Sequence, residues 1–536
     1  MTQTHAPPMR PLPPLGERTI GAVLAKAIAR SPDKIALEEH GRALTYRQTV
    51  DEALCIAGGF GALAVGRQEP VLLMLDNSID YVLAWLALGL TARVEVPVNT
   101  AYVGTILAHI VNNCGARVMV IEARFLPVLS QIADRLERLD VVVVRGGDGS
   151  EPLPQRFRRM SFDALRAAPE AVAKVEPWDL IGIMYTSGTT GLSKGVRVTH
   201  AHAYGYSTPE VYGACGENDK NLVVLPLFHV GGQWKGVYNA LIAGASAAIF
   251  PRFSAQNFWN DVRAFGCTYT LILGAMAEFL LRQPPRPDDA DHTLKRIVLV
   301  PVPNDLDGFR RRFGIETVSS AYGSTEGSVV LLSPIGGAEP GKIGWCRPDI
   351  EARLVDENDL DVPQGSSGEL VIRAKEPWVL MAGYHDVPQA TEEAWRNLWF
   401  HTGDVMRQDD RGMYAFVDRR KDAVRRRGEN VSSFEVEQEI ISHPSVKECA
   451  VVAVPSDATE DDILACVVMV DDQPIDGPSL RDYLRSRLPS FMVPRYVRFV
   501  DSLPKTPTEK VRKQALRDEG VTADTFDGER KNGNSR

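Results

Sequence analysis

Short apolar runs alternate with amphipathic helical segments from about residue 70 to residue 325, and this alternation constrains the fold more than any other feature. Between the runs, apolar residues recur at helical spacing, as Tyr81, Trp85 and Leu88 do after Ser78, a typical N-cap residue. Such alternation predicts parallel sheets covered by helices. The strands are expected at residues 71–75, 94–98, 117–121, 141–144, 180–186, 222–225, 247–250, 269–273 and 297–300.

The pattern changes near Pro340. Segments from 341 to 416 are short, strand-like and broken by glycines, which predicts a small antiparallel sheet or barrel. After the charged run 418–427 comes an α+β pattern, with a capping box at 432–435, strands at 450–454 and 464–470, and a helix around 480–488. Because composition shifts at Asp418, we expect an N-terminal domain over 1–417 and a C-terminal domain over 418–536. The predicted fold class is α/β: helix-covered parallel sheets with a small β-barrel-like subdomain, followed by a small α+β domain.

Composition excludes several classes of protein. Hydrophobic residues make up 44% of the chain and charged residues 24%, which is typical of a globular protein. The net charge of −9, without a long basic run, argues against binding to nucleic acid. The seven scattered cysteines contain no CxxC pair and predict reduced thiols, not a disulfide framework or a zinc site. No signal peptide and no apolar run of roughly 20 residues is present, so we expect no integral membrane segment and a cytoplasmic location.

A Gly/Ser/Thr-rich segment at 185–195 follows the strand at 180–186 and precedes a helix expected near Thr199. Its backbone N–H groups and hydroxyls can hold phosphate oxygens, and Lys194 adds positive charge. It is not a Walker loop, because Ser193 precedes the lysine and Gly195 follows it. A flexible surface loop is the alternative, which the particular order of residues disfavours. The candidate phosphate-binding residues are Thr186, Ser187, Gly188, Thr189, Thr190, Gly191 and Lys194.

Six further motifs follow in order: PLFH at 226–229, YGSTE at 322–326, HTGD at 401–404, DRRKD at 418–422, RGEN at 427–430 and PKTPTEK at 504–510. With the loop at 185–195, they resemble the motifs of the adenylate-forming superfamily of acyl-CoA synthetases, peptide-synthetase adenylation domains and luciferases. The resemblance covers about residues 20 to 515. The region around 425–430 is similar to that of carnitine/crotonobetaine-type CoA ligases.

The resemblance implies roles in binding ATP. Glu326 is a hard oxygen ligand suited to Mg²⁺, and Thr186 is expected near the same metal. Tyr322 can stack on adenine, while Asp404 and Arg419 are expected to hold the ribose. Gly323, Ser324 and Thr325 complete the implied nucleotide site. Residues 300–304 depart from the family's small-residue adenine-lining segment, so no further adenine ligand is named.

Lys510 resembles the lysine that bridges the carboxylate and the α-phosphate during adenylation, where a cation stabilises the transition state. The residue before it is Glu509, where the family usually has glycine, and Lys505 is the competing candidate.

The resemblance places His229 in the acyl pocket, where it helps to shape entry to the thioester tunnel; a packed core histidine is the alternative. Gly231, Gln233 and Trp234 are expected to continue the pocket wall, and Ser324 also belongs to the implied pocket. Lys235 is expected to be exposed on a helix. If it instead enters the pocket, it should pair with a second carboxylate of the substrate.

Arg427, Gly428 and Glu429 resemble the stretch presented for thioester formation, and the arginines at 425–427 are expected to attract the anionic coenzyme. Adenylation and thioester formation need different arrangements of the C-terminal domain, so Asp418 is the expected hinge of a mobile domain.

The resemblance therefore implies an ATP-dependent acid–CoA ligase that uses ATP, Mg²⁺ and coenzyme A. Transfer of the acyl group to a carrier protein is the alternative within the fold, and a catalytically inactive nucleotide-binding protein is the alternative outside it. The acid is not specified, and a homodimer stays open.

Overall fold

The computed structural model describes residues 11–186, 192–209, 215–303, 305–419, 424–426, 429–431, 433–456, 460–470, 475–504, 511 and 513–529. Within them, no helix is long and apolar enough to span a membrane. All seven cysteines lie in these ranges and are free thiols.

A seven-stranded sheet forms the first layer of the molecule. Its neighbouring strands pair in parallel, except that the last two are antiparallel. In spatial order they are Arg158–Ser161, Val141–Arg145, Val118–Glu122, Pro70–Met74, Val94–Pro97, Leu180–Thr186 and Lys194–Thr199. The four strands from Val141–Arg145 to Val94–Pro97 are buried along nearly their whole length because both faces of the sheet are covered.

A second seven-stranded sheet repeats the plan, and again only its last pair is antiparallel. Its spatial order is Thr317–Ser319, Arg296–Val300, Tyr269–Leu273, Lys220–Val223, Ser246–Ile249, Ile35–Glu39 and Arg42–Thr45. The strands expected between residues 71 and 300 are all present in the two sheets, within two residues of their predicted ends. The predicted α/β fold is confirmed.

Helices cover the sheets, and Ile79–Leu90 is buried on nearly all sides in a core that also contains residues from both sheets. It begins at the predicted cap, since the Ser78 hydroxyl accepts a hydrogen bond from the Tyr81 N–H. The other helices before the C-terminal region are Ile20–Arg30, Tyr46–Ala62, Gly104–Asn113, Leu126–Gln131, His200–Ser207, Asn239–Ala243, Phe258–Phe265, Gly274–Leu281, Leu306–Phe313 and Pro388–Ala394, together with the π-helix Gly231–Tyr238. Short 3₁₀ turns are found at Leu15–Glu17, Ala123–Phe125, Ala133–Arg135, Phe162–Leu165 and Arg396–Leu398.

Two small antiparallel sheets follow, where the glycine-broken pattern predicted a small sheet or barrel. One has three strands, Ala321–Ser324, Ser328–Leu332 and Trp345–Cys346. The other has four, Ile350–Val355, Ser367–Ala374, Phe400–Gln408 and Tyr414–Arg419. Asp418 lies in the last of these strands, opposite Val405. The domain boundary at Asp418 stays a prediction.

The C-terminal region has the predicted α+β composition. A two-stranded sheet, Val424–Arg426 with Glu429–Val431, precedes a four-stranded sheet of Val446–Pro455, Asp461–Met469, Tyr496–Phe499 and Phe526–Asp527. The helices are Ser433–Ile441, Gly477–Arg485 and Lys513–Glu519. One face of the larger sheet shares a hydrophobic core with the first seven-stranded sheet, and the opposite face packs on Leu503, Val511 and Leu516.

Candidate active site

Two polar side chains meet where a strand of the first seven-stranded sheet ends. Thr186 is the last residue of Leu180–Thr186, and Glu326 lies in the turn that follows Ala321–Ser324. The Thr186 hydroxyl donates a hydrogen bond to Oε1 of Glu326 at 3.0 Å. The structure therefore brings together the two residues predicted to hold the metal.

Tyr384 joins this pair. Its hydroxyl donates to the same Glu326 oxygen at 3.3 Å, and the Lys194 ammonium lies 5.0 Å from the centre of its ring. Burial and the neighbouring carboxylate raise the pKa of Tyr384, so its phenol stays protonated and can donate. Sequence reasoning missed Tyr384, because a single tyrosine in an irregular segment shows no informative spacing.

Tyr322 and Asp404 form a second pair. Tyr322 lies in the three-stranded sheet, Asp404 lies in Phe400–Gln408, and the tyrosine hydroxyl donates a short hydrogen bond to Oδ2 of Asp404. Arg419 stands opposite Asp404 in the neighbouring strand. The residues predicted to contact adenine and ribose are thus adjacent.

The rest of the YGSTE motif shapes the turn that presents Glu326. A Cβ on Gly323 would lie 2.5 Å from the carbonyl oxygen of Ser328, so the close approach of the two strands requires glycine. The Ser324 hydroxyl accepts a hydrogen bond from the Gly327 N–H at 2.8 Å. Thr325 is half-buried within the turn.

His229 contacts a residue from the C-terminal region. Its Nε2 lies 2.9 Å and 3.1 Å from the carboxylate oxygens of Glu429, 200 residues away in sequence. Burial opposes a charge on the imidazole, but Glu429 prevails and raises the pKa of His229 above its ordinary value. Partial burial opposes a charge on Glu429 as well, but His229 prevails and holds the pKa of this half-buried carboxyl below its ordinary value. The two side chains therefore form an ion pair at the predicted acyl site.

The π-helix Gly231–Tyr238 carries the residues predicted to line the pocket. Gly231 is half-buried, whereas Gln233 and Trp234 are fully buried. Trp234 packs edge-on against His202 and Tyr206, with ring centres 5.7 Å and 5.3 Å away.

The expectation that Lys235 is exposed is wrong. Its side chain is fully buried, with the ammonium 4.7 Å from the centre of the Tyr269 ring. Burial lowers the pKa of Lys235 to about 7, although the nearby Cys215 acts in the opposite direction. The reason is tertiary: the π-helix is covered on both sides, so no helix face is left for a solvated lysine.

The C-terminal region also touches the end of the phosphate loop. The Ser193 hydroxyl donates to Oε1 of Glu435 at 2.6 Å, and both residues are buried. Glu435 belongs to the helix Ser433–Ile441, which begins where the capping box predicted. Burial raises the pKa of Glu435 to about 7, against the lowering effect of the Ser193 hydrogen bonds.

Arg426 does not act as predicted. Its guanidinium is buried, bonds the carbonyl oxygens of Phe491 and Val493, and forms ion pairs with Asp462 and Glu529. It therefore holds the C-terminal region together and does not attract the coenzyme. Arg425 is 39% exposed and lies close enough to lower the pKa of Glu429.

Several predicted site residues lie outside the described residues. They are Ser187, Gly188, Thr189, Thr190, Gly191, Arg427, Gly428, Lys505 and Lys510, and their roles stay predictions.

Two family models match the chain. The model for AMP-binding enzymes matches residues 24–385, and the model for the AMP-binding enzyme C-terminal domain matches residues 435–510. The fold, with its two helix-covered parallel sheets, is consistent with a nucleotide-dependent enzyme. The hydroxyl and carboxylate groups that cluster next to the phosphate loop are consistent with the same class. The chain belongs to the AMP-binding enzyme family.

Similar proteins include CoA ligases. The crotonobetaine/carnitine–CoA ligase of Proteus mirabilis is 31% identical over 491 residues, which are 89% of this chain and 93% of the relative. Among solved structures, ATP-bound MatB from Rhodopseudomonas palustris is 27% identical with a TM-score of 0.67, covering 94% of this chain and 99% of that one. An anthranilate CoA ligase in complex with anthranoyl-AMP is 25% identical with a TM-score of 0.69, covering 94% and 97%.

Proposed function

We propose that this chain is an ATP-dependent, AMP-forming acid–CoA ligase. A carboxylate attacks the α-phosphate of ATP, giving an acyl-adenylate and pyrophosphate, and the thiol of coenzyme A then displaces AMP to give the acyl-CoA. The observation that carries the proposal is the pairing of Thr186 with Glu326 beside the phosphate loop, together with the Tyr322–Asp404 pair. One pair suits the phosphate end of the nucleotide and the other suits its nucleoside end.

Glu326 and Thr186 fit a magnesium ion, because a carboxylate and a hydroxyl oxygen 3.0 Å apart are both hard ligands. These two residues would hold the ion, and the bound ion would neutralise part of the negative charge of the triphosphate. Tyr384 donates to Glu326 and keeps this carboxylate in place. Lys194 adds a cation on the same side, and Lys510 bridges the reacting carboxylate and phosphate.

The His229–Glu429 ion pair suits the second step. It brings Glu429 of the RGEN motif against the predicted acyl site, where the thiol must enter. Glu429 orients the imidazole through Nε2, and the arginines at positions 425 and 427 of the sequence attract the anionic coenzyme. The reaction takes place in the cytoplasm, where ATP and coenzyme A are available and the seven thiols stay reduced.

The test is to incubate the enzyme with ATP, Mg²⁺ and a panel of fatty, aromatic, dicarboxylic and betaine acids, and to measure pyrophosphate and AMP with and without coenzyme A. We expect pyrophosphate release with at least one acid and coenzyme A-dependent AMP formation with the same acid. Glu326→Gln should lower both by about 100-fold or more, since it removes a charge that acts on the transition state. Tight ATP binding without turnover of any acid would refute the proposal. Turnover that requires a carrier protein would show that the carrier protein, and not coenzyme A, accepts the acyl group.

A further inference from the structure

The π-helix Gly231–Tyr238 is held from the second sheet by one buried amide. The Asn221 side chain donates hydrogen bonds to the carbonyl oxygens of Lys235 and Gly236, at 3.3 Å and 2.8 Å. Asn221 lies in the strand Lys220–Val223 and is itself buried. On the side that faces the second sheet, the π-helix is therefore held through hydrogen bonds to its backbone carbonyl groups.

A second buried contact reaches the helix from the first sheet. Glu95 lies in the strand Val94–Pro97 and is only 2% exposed. Both of its carboxyl oxygens accept from the Gln233 amide nitrogen, at 2.7 Å and 2.8 Å, and one also accepts from the Tyr81 hydroxyl at 2.9 Å. Glu95 and Gln233 are 138 residues apart in sequence, so this contact ties the helix to the other sheet.

A carboxyl group at this position is costly, since it interrupts an apolar strand whose neighbours are also buried. Burial raises the pKa of Glu95 to about 8, against the lowering effect of the Gln233 and Tyr81 hydrogen bonds. Burial therefore favours the neutral form of Glu95 at pH 7, and the hydrogen bonds from Gln233 and Tyr81 offset part of the cost of burying this group. An apolar residue would fill the same space at less cost, so the contact calls for a role beyond packing.

We infer that Glu95 is a positioning residue for the acid site: by holding Gln233, it fixes the π-helix that follows His229 and with it the wall of the acyl pocket. This inference rests on the proposed function, because it concerns the acid substrate of that reaction. Gln233 is buried and transmits the hold of Glu95 to the wall. The contact involves no part of the nucleotide site, so its loss should affect the acid and spare ATP.

The test compares Glu95→Gln, Glu95→Val and the double variant Glu95→Val/Gln233→Leu by steady-state kinetics and thermal unfolding. Glu95→Gln keeps a neutral group that can pair with Gln233, and its KM for the acid should stay near the wild-type value. Glu95→Val should raise KM for the acid about tenfold, as expected when a buried polar group loses its partner, with KM for ATP unchanged. Thr49→Val is the matched control, because it removes a buried hydrogen bond to the Thr45 carbonyl in a helix that does not carry the site.

The double variant separates positioning from stability. Replacing Glu95 and Gln233 together by apolar groups should restore part of the unfolding temperature lost in Glu95→Val, because the Gln233 amide is no longer left without its partner, whereas the Tyr81 hydroxyl still is. If Glu95 positions the wall, KM for the acid stays raised in the double variant although this part of the stability returns. The inference would be overturned if the unfolding temperature and KM for the acid recovered together in the double variant. An unchanged KM for the acid in Glu95→Val would also overturn it. Absence of acid-dependent AMP formation in the wild-type enzyme would overturn the proposed function, and the inference with it.

Discussion

At the scale of single residues, the site is built from pairs of side chains that lie far apart in sequence. Thr186 meets Glu326, and His229 meets Glu429. Each pair contains a carboxylate whose partner is a donor, so each carboxylate is held in one orientation before a substrate arrives. Such preorganisation suits a reaction in which two anions, a carboxylate and a triphosphate, must be brought together.

The two half-reactions should depend differently on Lys510. We expect Lys510→Ala to lower acid-dependent pyrophosphate release by about 100-fold or more and to spare thioester formation from a supplied acyl-adenylate, because the cation acts only while pyrophosphate leaves. Measurement of each half-reaction separately checks this. Lys505→Ala is the matched control, and a selective defect in that variant would assign the role to Lys505. Equal loss of both steps in Lys510→Ala would make the residue structural.

Lys235 should destabilise the folded protein near neutral pH. Its pKa is about 7 when buried, against an ordinary value of 10.5, so the folded state binds fewer protons than the unfolded state between these values. The cost is greatest below pH 7 and disappears as the pH rises towards 10.5. We expect Lys235→Met to raise the free energy of unfolding at pH 7, with a gain that shrinks by pH 10.

Urea unfolding at several pH values checks this gain. Lys26→Met is the control, because the Lys26 side chain is 78% exposed and should contribute little at any pH. A gain that does not depend on pH would contradict the shifted pKa of Lys235.

The same Lys235→Met variant tests the hypothesis that the Lys235 ammonium pairs with a second carboxylate of the substrate. If the ammonium reaches the pocket, the preference of the enzyme should move from dicarboxylic towards apolar acids. An unchanged acid profile would refute that hypothesis.

At the scale of elements, the π-helix packs very close to the chain segment that leads into it. A Cβ on Gly232 would overlap the backbone carbonyl groups of Leu225 and Pro226, which cannot move without displacing the PLFH segment. On Gly236 a Cβ would lie 3.0 Å from a methyl group of Val223, which can shift. The glycine at 232 therefore sets the position of His229.

Gly232→Ala should lower stability by about 1–3 kcal/mol and raise KM for the acid, because the overlap pushes the His229 segment away from the helix. Gly236→Ala, the matched control, should lower stability by less and leave KM for the acid near the wild-type value. Thermal unfolding and steady-state kinetics on both variants check this. Equal kinetic effects of the two substitutions would show that the close approach at Gly232 has no special role.

At the scale of the whole molecule, two contacts of ionisable side chains join the C-terminal region to the rest among the residues that the structure describes. One is Ser193 with Glu435, and the other is His229 with Glu429. A third contribution is the hydrophobic core shared between the C-terminal sheet and the first seven-stranded sheet. Rotation of the C-terminal region about Asp418 would have to break these contacts.

The joined arrangement should weaken as the pH rises. Burial in the joined arrangement raises the pKa of Glu435 from 4.5 to about 7, so the contribution of the neutral group is fully present below pH 4.5 and is lost as the pH rises to 7. His229 acts in the same direction above pH 6.5, because its pKa is also raised by contact. Glu429, whose pKa is lowered, has the opposite effect only below pH 4.5.

Small-angle X-ray scattering between about pH 5 and pH 8 should therefore show a larger average radius at the higher pH. Glu435→Gln keeps a neutral acceptor for Ser193 and should flatten the change. Scattering that does not vary with pH in the wild-type enzyme would contradict this expectation.

Asp418→Pro should trap one arrangement of the C-terminal region, because proline fixes φ near −65° and a hinge needs freedom there. We expect near-normal acid-dependent pyrophosphate release and nearly abolished thioester formation, measured separately. Asp418→Ala is the matched control, since it removes the carboxylate and leaves φ free. If Asp418→Pro completes both steps at the wild-type rate, the hinge lies elsewhere or no rotation is needed.

The sequence by itself determined the fold class, the family and most strands, because burial of both faces of a parallel sheet requires apolar runs of strand length. The motifs also identified Thr186, Glu326, Tyr322 and Asp404, which the structure brings together in pairs. These patterns are local, since the periodicity of a strand and the residue order of a loop motif depend on residues that are adjacent in sequence.

Only the tertiary structure decided the burial of Lys235 and Arg426, the contribution of Tyr384 and the pairing of Glu95 with Gln233. The physical reason is that the environment of a polar side chain depends on residues distant in sequence. Glu95 and Gln233 are 138 positions apart, and no local spacing connects them. A lysine on a helix is ordinarily solvated, and only the packing of a second layer over the π-helix makes Lys235 a buried group with a lowered pKa.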